Sequence, residues 1–323
     1  MASLGLSRHL LAACFLLGSC LALGDQKLRL DLLEEASTSS DGEVWLQKMT
    51  RAFKAETFSG IFTYMRGSEF STMRIVHDAR GESLQESLTR LNGPRIEIRR
   101  SEAQILCFHD AAEPGDMTHD VLLGPFSQAF NTALSESGHF YRLTLRGEDR
   151  VADRRAMRLS IQPVNSDRLG YLLWLDYETG LLLQSHLVER GRLKEVFAFS
   201  SIDFNPDVDQ LMLASDIQDS ISHQLADNVR EQERPPEFRV NWLPKGFKKV
   251  QQDGNRLLFS DGIVTFSVFF GPRDGMPNVA TEVKGRTVVT QSLGNKSGQV
   301  TIIGGLPLPT AQKLAESVEP IIF

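Results

Sequence analysis

The amino-acid sequence predicts an α+β fold with two domains. The first is a large, half-open antiparallel β-barrel with covering helices, and the second is a smaller α+β domain at the C-terminus. Three observations predict this organisation. Apolar residues recur at every second position in a series of segments after residue 58, which is typical of antiparallel strands with one buried face. Turn-forming residues separate these segments. A charged stretch with a Pro-Pro pair, residues 223–237, then divides the chain.

The first 24 residues have the pattern of a secretory signal peptide. Residues 8–9 are basic, residues 10–17 are apolar, and residues 22–24 (ALG) fit the small-residue cleavage site. The apolar run is too short for a membrane-spanning helix. We therefore expect export to the periplasm as a mature chain of residues 25–323. Because Cys20 ends a lipobox-like LGSC, a lipoprotein tethered at Cys20 is the alternative.

The larger domain is expected at residues 25–222. Asp41 is a suitable N-cap for a first helix, whose apolar stripe contains Trp45, Leu46, Met49 and Phe53. Alternating strands follow around residues 58–64, 95–99, 141–146 and 157–161. Turn signals lie at Asn92-Gly93-Pro94 and Thr179-Gly180, and residues 125–135 predict a further helix. The alternation weakens at residues 169–175 and 181–187, which predicts strands covered on both faces.

The smaller domain is expected at residues 238–323, after the linker. Its apolar segments predict strands at residues 257–260, 263–270, 287–291 and 299–303. A final helix, PTAQKLAESV, places Ala311, Leu314, Ala315 and Val318 on one face. A unit of this size is sufficient for a domain with its own core.

Composition excludes several classes of function. The formal net charge of −6 over 323 residues argues against nucleic-acid binding. Of the three cysteines, only Cys107 lies outside the signal segment, so an intramolecular disulfide is not expected in the exported chain. Its apolar neighbours indicate a buried structural thiol. No motif for a nucleotide, a catalytic serine or a zinc helix is present, and no cofactor and no enzyme activity are expected.

Two acidic segments resemble metal sites only superficially. The loop at residues 109–120 (HDAAEPGDMTHD) contains histidines and carboxylates, but a solvated acidic loop is the more economical interpretation. Residues 203–209 imitate the start of a calcium loop. However, Val208 stands where a glycine is needed, and Ala214 stands where a bidentate glutamate is needed. The sequence therefore predicts no metal site.

Clusters of basic residues are candidates for contacts with phosphates or an acidic peptide, although a solvated charged strand face is the alternative for each of them. Three such clusters occur: Arg95, Arg99 and Arg100; Arg150, Arg154 and Arg155; and Lys245, Lys248 and Lys249.

Several longer segments resemble the RseB/MucB family of periplasmic regulators of the envelope-stress sigma factor. The similarity runs in order over almost the whole predicted mature chain. The segments are NGPRIEIRR (92–100), GEDRVADRRAMRLSI (147–161), YLLWLDYETGLLLQSHLVER (171–190), NWLPKGF (241–247), LLFSDGIVTFSVFF (257–270), GRTVVTQ (285–291) and VTIIGGLP (300–307).

This resemblance implies a fold and a function. The larger domain of the family is similar to the lipoprotein carriers LolA and LolB. Family members bind the periplasmic region of a membrane-spanning anti-sigma factor of the RseA/MucA type and shield it from regulated proteolysis. Lipopolysaccharide or another acylated ligand is expected to release that grip, and the anti-sigma segment is expected to contact chiefly the smaller domain. Homo-oligomerisation is left open.

Two sets of residues are predicted to carry these contacts. Acyl chains would lie on the concave face of the barrel, and arginines near its rim would meet phosphate groups. The predicted lipid-binding residues are Phe62, Tyr64, Ile96, Ile98, Leu145, Leu159, Arg95 and Arg99. The predicted partner-binding residues are Trp242, Lys245, Phe247, Phe266 and Arg286.

Three alternatives remain open at this point. The chain could be a periplasmic lipid or lipoprotein carrier of the LolA/LolB type, which would leave the second domain without a role. It could be a hydrolase that uses the loop at residues 109–120. The barrel could also be a filled core, with all binding being between proteins.

Overall fold

The computed structural model describes residues 39–101, 105–109, 140–213, 221–225, 238–272, 277–293 and 298–321. The signal segment with Cys20, the helix expected at residues 125–135, residues 110–120 of the acidic loop and residues 226–237 of the linker lie outside the described residues. Among the helices that are described, none has the length and apolar character needed to cross a membrane.

The described elements form one large sheet, one smaller sheet and a two-stranded ribbon. The helices are α1 (Ser39–Ala55), α2 (Val208–Leu213) and α3 (Leu308–Glu316). The strands of the large sheet are β1 (Phe58–Arg66), β2 (Glu69–Asp78), β3 (Gln85–Arg90), β4 (Ile96–Arg100), β5 (Ile105–His109), β6 (Tyr141–Val151), β7 (Arg154–Pro163), β8 (Gly170–Asp176), β9 (Leu182–Glu189), β10 (Arg192–Asp203) and β11 (Ile221–Leu225). The remaining strands are β12 (Phe238–Val240), β13 (Lys248–Asp253), β14 (Arg256–Ser260), β15 (Thr265–Gly271), β16 (Val279–Val283), β17 (Arg286–Leu293), β18 (Gly298–Gly304) and β19 (Val318–Pro320).

The large sheet is an open antiparallel meander of eleven strands in the order β11-β5-β4-β3-β2-β1-β10-β9-β8-β7-β6. Most neighbouring strands in this sheet are consecutive in sequence. The two exceptions are the pairs β1 with β10 and β5 with β11. The pairing of β1 with β10 joins strands β1–β5 to strands β6–β10. Both groups of strands therefore contribute to one continuous face. The predicted α+β class with a large antiparallel sheet is confirmed.

Helix α1 covers one face of the large sheet, which we call the inner face. Its stripe is buried as predicted: Leu46, Met49 and Phe53 are 3%, 0% and 6% exposed. The Lys48 ammonium donates a hydrogen bond to the backbone carbonyl of Tyr177 at 2.6 Å, which ties the helix to the turn after β8. The helix begins at Ser39, so Asp41 lies in its first turn rather than at the predicted N-cap position.

The interior strands β8 and β9 are covered on both faces, as the weakened alternation predicts. Leu181, Leu182 and Leu183 are consecutive in sequence, and each is 0% exposed. On the outer face, Trp174 is 7% exposed, and its indole N–H donates to Oδ2 of Asp149 at 2.9 Å. Successive residues in these strands therefore bury apolar groups on opposite sides of the sheet.

The second sheet has the order β13-β14-β15-β18-β17-β16. Helix α3 packs on one of its faces through Ala311, Leu314 and Ala315, as predicted. The four strands predicted from apolar segments correspond to β14, β15, β17 and β18. Strands β13 and β16 at the two edges were missed, because KKVQQD and VATEV have little apolar alternation.

The structure also changes the expected linker. Strand β11 pairs with β5 through Ile221–Leu225, so residues 223–225, predicted as linker, belong to the large sheet. The sequence of this strand, ISHQL, is too short and polar to show a period of two.

Candidate functional site

The six predicted apolar lipid-binding residues lie together on the inner face. Strand register forms one continuous row of side chains across six strands: Tyr64, Phe197, Ser185, Leu173, Leu159 and Leu145. Phe62 is two residues from Tyr64 on β1 and therefore shares this face. Ile98 joins it through the cross-strand neighbours Leu88 and Ile75, and Ile96 is two residues from Ile98.

Helix α1 and a group of aromatic rings enclose this face. Phe62, Ile98 and Leu159 are 4%, 1% and 0% exposed, whereas Tyr64 and Leu145 are only partly buried. At Gly60, an added Cβ would lie 2.7 Å from the ring of Phe199, so the glycine makes room for that ring. A ligand can reach the enclosed residues only if α1 or a neighbouring side chain moves.

Of the two predicted arginines, Arg99 does not lie on this face. Arg99 lies on the outer face, where its Nε donates to Oε1 of Glu97 at 2.9 Å and its Nη2 donates to the carbonyl of Met212 at 3.2 Å. Glu97 is 2% exposed, and Met212 of α2 lies beside Arg99 on this part of the outer face. Arg95 is exposed in the turn between β3 and β4. This position of Arg99 argues against its contact with a ligand held on the inner face, whereas the role of Arg95 stays a prediction.

Other arginines from the predicted clusters are held in ion pairs. Arg100 lies on the inner face, opposite to the predicted side, with Nη1 at 3.5 Å from Oε2 of Glu86. Arg154 donates to Asp176 at 2.5 and 3.2 Å. Burial acts to raise the pKa of Asp176, but the hydrogen bonds from Arg154 and Thr179 outweigh it and hold the pKa below its usual value. Arg155 is paired with Glu148.

A polar cluster lies where the inner face meets the small sheet. Nη1 of Arg66 is 3.4 Å from the hydroxyl of Tyr64, and Arg66 is 4% exposed. Burial and the nearby Glu195 carboxylate raise the pKa of Tyr64 well above its usual value, while Arg66 and Arg286 oppose them. Tyr171 has a raised pKa from burial and from the same Glu195. Both phenols are therefore neutral hydrogen-bonding groups.

The first contact between the large and small sheets is a buried ion pair. Nη1 of Arg168 donates to Oδ2 of Asp261 at 3.0 Å, and both side chains are 0% exposed. The Tyr141 hydroxyl donates to the same oxygen at 2.7 Å. The backbone N–H groups of Ile263 and Val264 donate to Oδ1 of Asp261 at 3.0 and 2.9 Å. The Asp261 carboxylate thus accepts hydrogen bonds from Arg168, from Tyr141 and from the backbone of its own turn.

Aromatic rings surround this ion pair. The guanidinium carbon of Arg168 lies 4.8, 5.5 and 5.3 Å from the ring centroids of Phe140, Tyr141 and Phe247. Its Nη2 also donates to the backbone carbonyl of Lys245 at 2.5 Å. A charge that is desolvated in this way is stabilised only while its partners stay in place.

The second contact joins the turn between β16 and β17 to the large sheet. Nε of Arg66 donates to the carbonyl of Lys284 at 3.0 Å, and the Lys284 ammonium lies 2.8 Å from Oε1 of Glu69. Lys194 pairs with Glu282. Gly285 has φ +72°, and a Cβ there would lie 2.7 Å from Cγ of Arg66, so only glycine fits this approach.

The predicted partner-binding residues do not form one surface. Phe247 and Phe266 are 6% and 1% exposed and pack on each other at 5.1 Å, so their burial argues against direct contact with a partner. Trp242 lies under the Lys313 ammonium at 4.2 Å. Lys245 contributes its backbone carbonyl to the ion-pair contact. Of the five, Arg286 lies on the face of the small sheet that α3 does not cover.

Sequence reasoning missed this face of the small sheet, which α3 does not cover and which we call the open face. Register places Leu258, Ser267, Ile303, Val288 and Thr281 in one row on it. Ser267 is 7% exposed, and the other four side chains are half-buried rather than packed into the core around α3. Arg286 lies at one end of the open face, next to the polar cluster around Tyr64. The sequence contained a signal for this face, because Leu258, Val288 and Ile303 are apolar residues at the positions that alternate with the core residues of β14, β17 and β18.

The buried charges Arg168 and Asp261 were also missed, because residues 93 positions apart carry no local signal of their pairing. For metals, the described part of the chain contains no group of three or more histidine, cysteine, aspartate or glutamate side chains that could hold an ion. Cys107 is buried on the inner face opposite Ile98, and burial raises the pKa of its thiol.

Comparison with protein families places both parts of the chain in one family. Residues 41–217 match the model of the MucB/RseB N-terminal domain, and residues 232–319 match the model of the MucB/RseB C-terminal domain. These matches cover most of the described residues of both sheets.

Curated relatives and solved structures agree with this result. The chain is 31% identical over 303 residues to "Sigma factor AlgU regulatory protein MucB" of Pseudomonas aeruginosa, covering 88% of this chain and 93% of the relative. It is 23% identical over 301 residues to "Sigma-E factor regulatory protein RseB" of Escherichia coli K12, covering 88% and 92%. The complex of Pseudomonas aeruginosa MucA/MucB matches with a TM-score of 0.71 at 29% identity, covering 88% of this chain and 100% of that chain. A crystal structure of MucB in complex with MucA(peri) matches with a TM-score of 0.67 at 28% identity, covering 88% and 100%.

Proposed function

The chain belongs to the MucB/RseB family, and from this premise we propose that it is a periplasmic regulator of an envelope-stress sigma factor. It binds the periplasmic region of a membrane-spanning anti-sigma factor, protects that region from regulated proteolysis and so restrains the response. The observation that carries the proposal is the match over 88% of the chain to MucB in a MucA/MucB complex. Its role is binding rather than catalysis, in line with relatives that are named regulatory proteins.

Export through the N-terminal signal segment is part of this proposal. Residues 1–24 have the charge, apolar length and cleavage pattern of a signal peptide. A periplasmic location places the chain on the same side of the membrane as the anti-sigma region that it binds.

The open face of the small sheet is the proposed contact surface for the anti-sigma segment. Leu258, Ile303 and Val288 are half-buried apolar side chains on this face, which α3 does not cover. Arg286 adds a positive charge at one end. A segment with apolar residues and nearby carboxylates would complement this surface. The family resemblance points to the smaller domain as well.

The inner face of the large sheet is the proposed site for the acyl part of a releasing lipid such as lipopolysaccharide. Its apolar row is continuous over six strands, and α1 is the element that closes it. The two sites are connected through the polar cluster, because Tyr64 lies on the inner face and Arg286 lies on the open face. If lipid favours an arrangement that binds the anti-sigma segment weakly, each ligand must weaken the other by the same factor.

A pull-down and titration with the periplasmic segment of the anti-sigma factor test this proposal. We expect binding by the chain without its signal segment, and weaker binding when lipopolysaccharide is added. The double variant V288D/I303D, on the open face, should bind at least about tenfold more weakly, because burying an unpaired charge at an interface costs several kcal/mol. The matched control is Val250→Asp, since Val250 is 52% exposed on β13 at the opposite edge of the same sheet.

The outcomes separate the parts of the proposal. Failure of the unmodified chain to bind any anti-sigma segment would refute the function. Equal binding by the open-face variant and the control would refute the surface but not the function. If both ligands bind without mutual effect, the linkage is wrong.

A further inference from the structure

Three neighbouring hairpin tips of the large sheet expose large apolar side chains. Phe70, which follows the turn between β1 and β2, is 58% exposed, Leu91 at the end of β3 is 40% exposed, and Leu193 at the start of β10 is 49% exposed. All three turns lie at the same end of the sheet, because β3, β2, β1, β10 and β9 are consecutive neighbours. With strands about 4.8 Å apart, the tips extend over roughly 20 Å.

The tips are close neighbours rather than scattered residues. The N–H of Leu91 donates to the carbonyl of Thr72 at 2.8 Å, and Phe70 is two residues from Thr72 on the same strand. Phe70 and Leu91 therefore lie on a diagonal of the outer face. Leu193 follows the next turn along the sheet.

Positive charge surrounds these apolar side chains. Arg74, Arg190 and Arg192 are exposed, and within the described ranges no acidic side chain pairs with them. Lysines also lie beside the nearby carboxylates, because Glu69 pairs with Lys284 and Lys194 is shared between Glu189 and Glu282. This end is thus locally basic on a chain with a net charge of −6.

We propose that this tip surface, formed by Phe70, Leu91, Leu193, Arg74, Arg190 and Arg192, docks on an anionic phospholipid bilayer. Apolar side chains at separate tips insert into the headgroup region one by one, whereas a protein partner of ordinary size needs a contiguous packed patch. The arginines contact lipid phosphates, which hold guanidinium groups by paired hydrogen bonds.

Such docking does not depend on the anti-sigma partner or on the inner face. The tip surface is made of turns and outer-face residues, whereas Tyr64 and Leu159 belong to the opposite face. A chain held at a membrane surface meets a membrane-anchored partner in two dimensions rather than three, which raises its effective concentration.

Vesicle co-sedimentation tests this proposal. The protein is the chain from residue 25 onward, because the apolar segment at residues 10–17 would itself bind lipid. The vesicles are phosphatidylethanolamine with phosphatidylglycerol, compared with phosphatidylcholine alone. We expect binding to the anionic vesicles that weakens with salt and is much weaker on the zwitterionic ones.

Variants assign the binding to the tips. F70S/L91S should bind at least about tenfold more weakly, because two exposed apolar side chains lose their insertion into the bilayer. R74Q/R192Q should lose roughly fivefold per charge at low salt, since each juxtamembrane arginine contributes about 1 kcal/mol. The control Val250→Ser removes an equally exposed valine from the small sheet and should leave vesicle binding unchanged.

The proposal is overturned if the unmodified chain does not sediment with anionic vesicles, or if F70S/L91S sediments as well as it does. Concentration-dependent dimerisation that is lost in F70S/L91S, without any vesicle binding, would also overturn it and would identify the tips as a contact between copies. Binding of the anti-sigma segment should be the same for all three variants, which separates this test from that of the open face.

Discussion

Removal of the Asp261 carboxylate should strongly destabilise the protein, because it leaves a buried arginine without its carboxylate partner. Arg168 and Asp261 are both 0% exposed. Breaking a buried pair by deleting one partner costs about 3–5 kcal/mol, because the other charge remains desolvated. Asp261→Ala also removes the acceptor for the Tyr141 hydroxyl and for two backbone N–H groups, at about 1 kcal/mol each. Arg168 keeps its hydrogen bonds to Asp167 and to the carbonyl of Lys245, which offsets part of the loss.

The expected decrease in the free energy of unfolding for Asp261→Ala is therefore about 5–7 kcal/mol, because the bonds that Arg168 keeps offset about 1 kcal/mol of the loss. This is a large part of the stability of an ordinary domain. Asp261→Asn keeps Oδ1 as the acceptor for the turn and should lose about 4 kcal/mol, because the charge and the Oδ2 acceptor for Arg168 and Tyr141 are both removed. Urea unfolding followed by tryptophan fluorescence measures both values. Trp174 lies in the large sheet and Trp242 lies beside the small sheet, so the fluorescence reports on both parts.

A double-mutant cycle with Arg168→Met isolates the pair. We expect a coupling energy of about 2–3 kcal/mol between the two positions, near the upper end for neighbours in one network. Arg80→Ala is the control, since Arg80 pairs with Asp78 and Asp209 at the surface and should show no measurable effect. A loss below about 1 kcal/mol for Asp261→Ala would refute the reasoning, because that is the size of an ordinary surface substitution. Two separate unfolding transitions in the variant would show that the pair also couples the two sheets.

Three further predictions concern the turns and the covering helix. Gly285→Ala should destabilise the chain by more than Gly254→Ala in urea unfolding. Both have positive φ, but the added Cβ meets neighbouring atoms only at Gly285. Lys48→Ala removes the hydrogen bond to Tyr177 and should raise the affinity for a fluorescent fatty acid about fivefold, since one such bond contributes about 1 kcal/mol to closure of α1. Because the pKa of Asp176 is lower in the folded chain than in the unfolded chain, its carboxylate stabilises the fold at pH values above the unfolded pKa. This stabilisation is lost as the pH falls through the folded pKa. Asp176→Asn should therefore flatten the loss of stability measured below about pH 4.

Much of the fold could be predicted because burial imposes a period on the sequence. In β1, the alternation of Phe58, Gly60, Phe62 and Tyr64 appears directly in the structure as one inner face. The same logic found α3 from its stripe of alanine and leucine. Edge strands such as β16 were missed because neither face is fully buried, so burial does not select an apolar residue at every second position.

The polar part of the site could not be predicted, for a different reason. Arg100 and Arg99 are adjacent and chemically identical in sequence, yet they lie on opposite faces and pair with Glu86 and Glu97. Their environment depends on which distant segment covers each face, and that information is tertiary. Phe247 and Phe266 show the converse error, because a surface role was assigned to residues that the fold needs in its core.

Displacement of helix α1 sets a lower limit on the length of the acyl chain that can open the inner face. Leu46, Met49 and Phe53 each bury almost their whole side chain against the sheet. Exposing all three costs about 5–9 kcal/mol, at about 1.5–3 kcal/mol for each side chain. An acyl chain recovers about 0.8 kcal/mol for each methylene, so about 6–11 buried methylenes are needed before displacement of α1 becomes favourable. Short amphiphiles should therefore leave binding of the anti-sigma segment unchanged at concentrations where long-chain lipids weaken it. A lipid-responsive regulator of this design would distinguish long acyl chains from small apolar solutes through the stability of one helix.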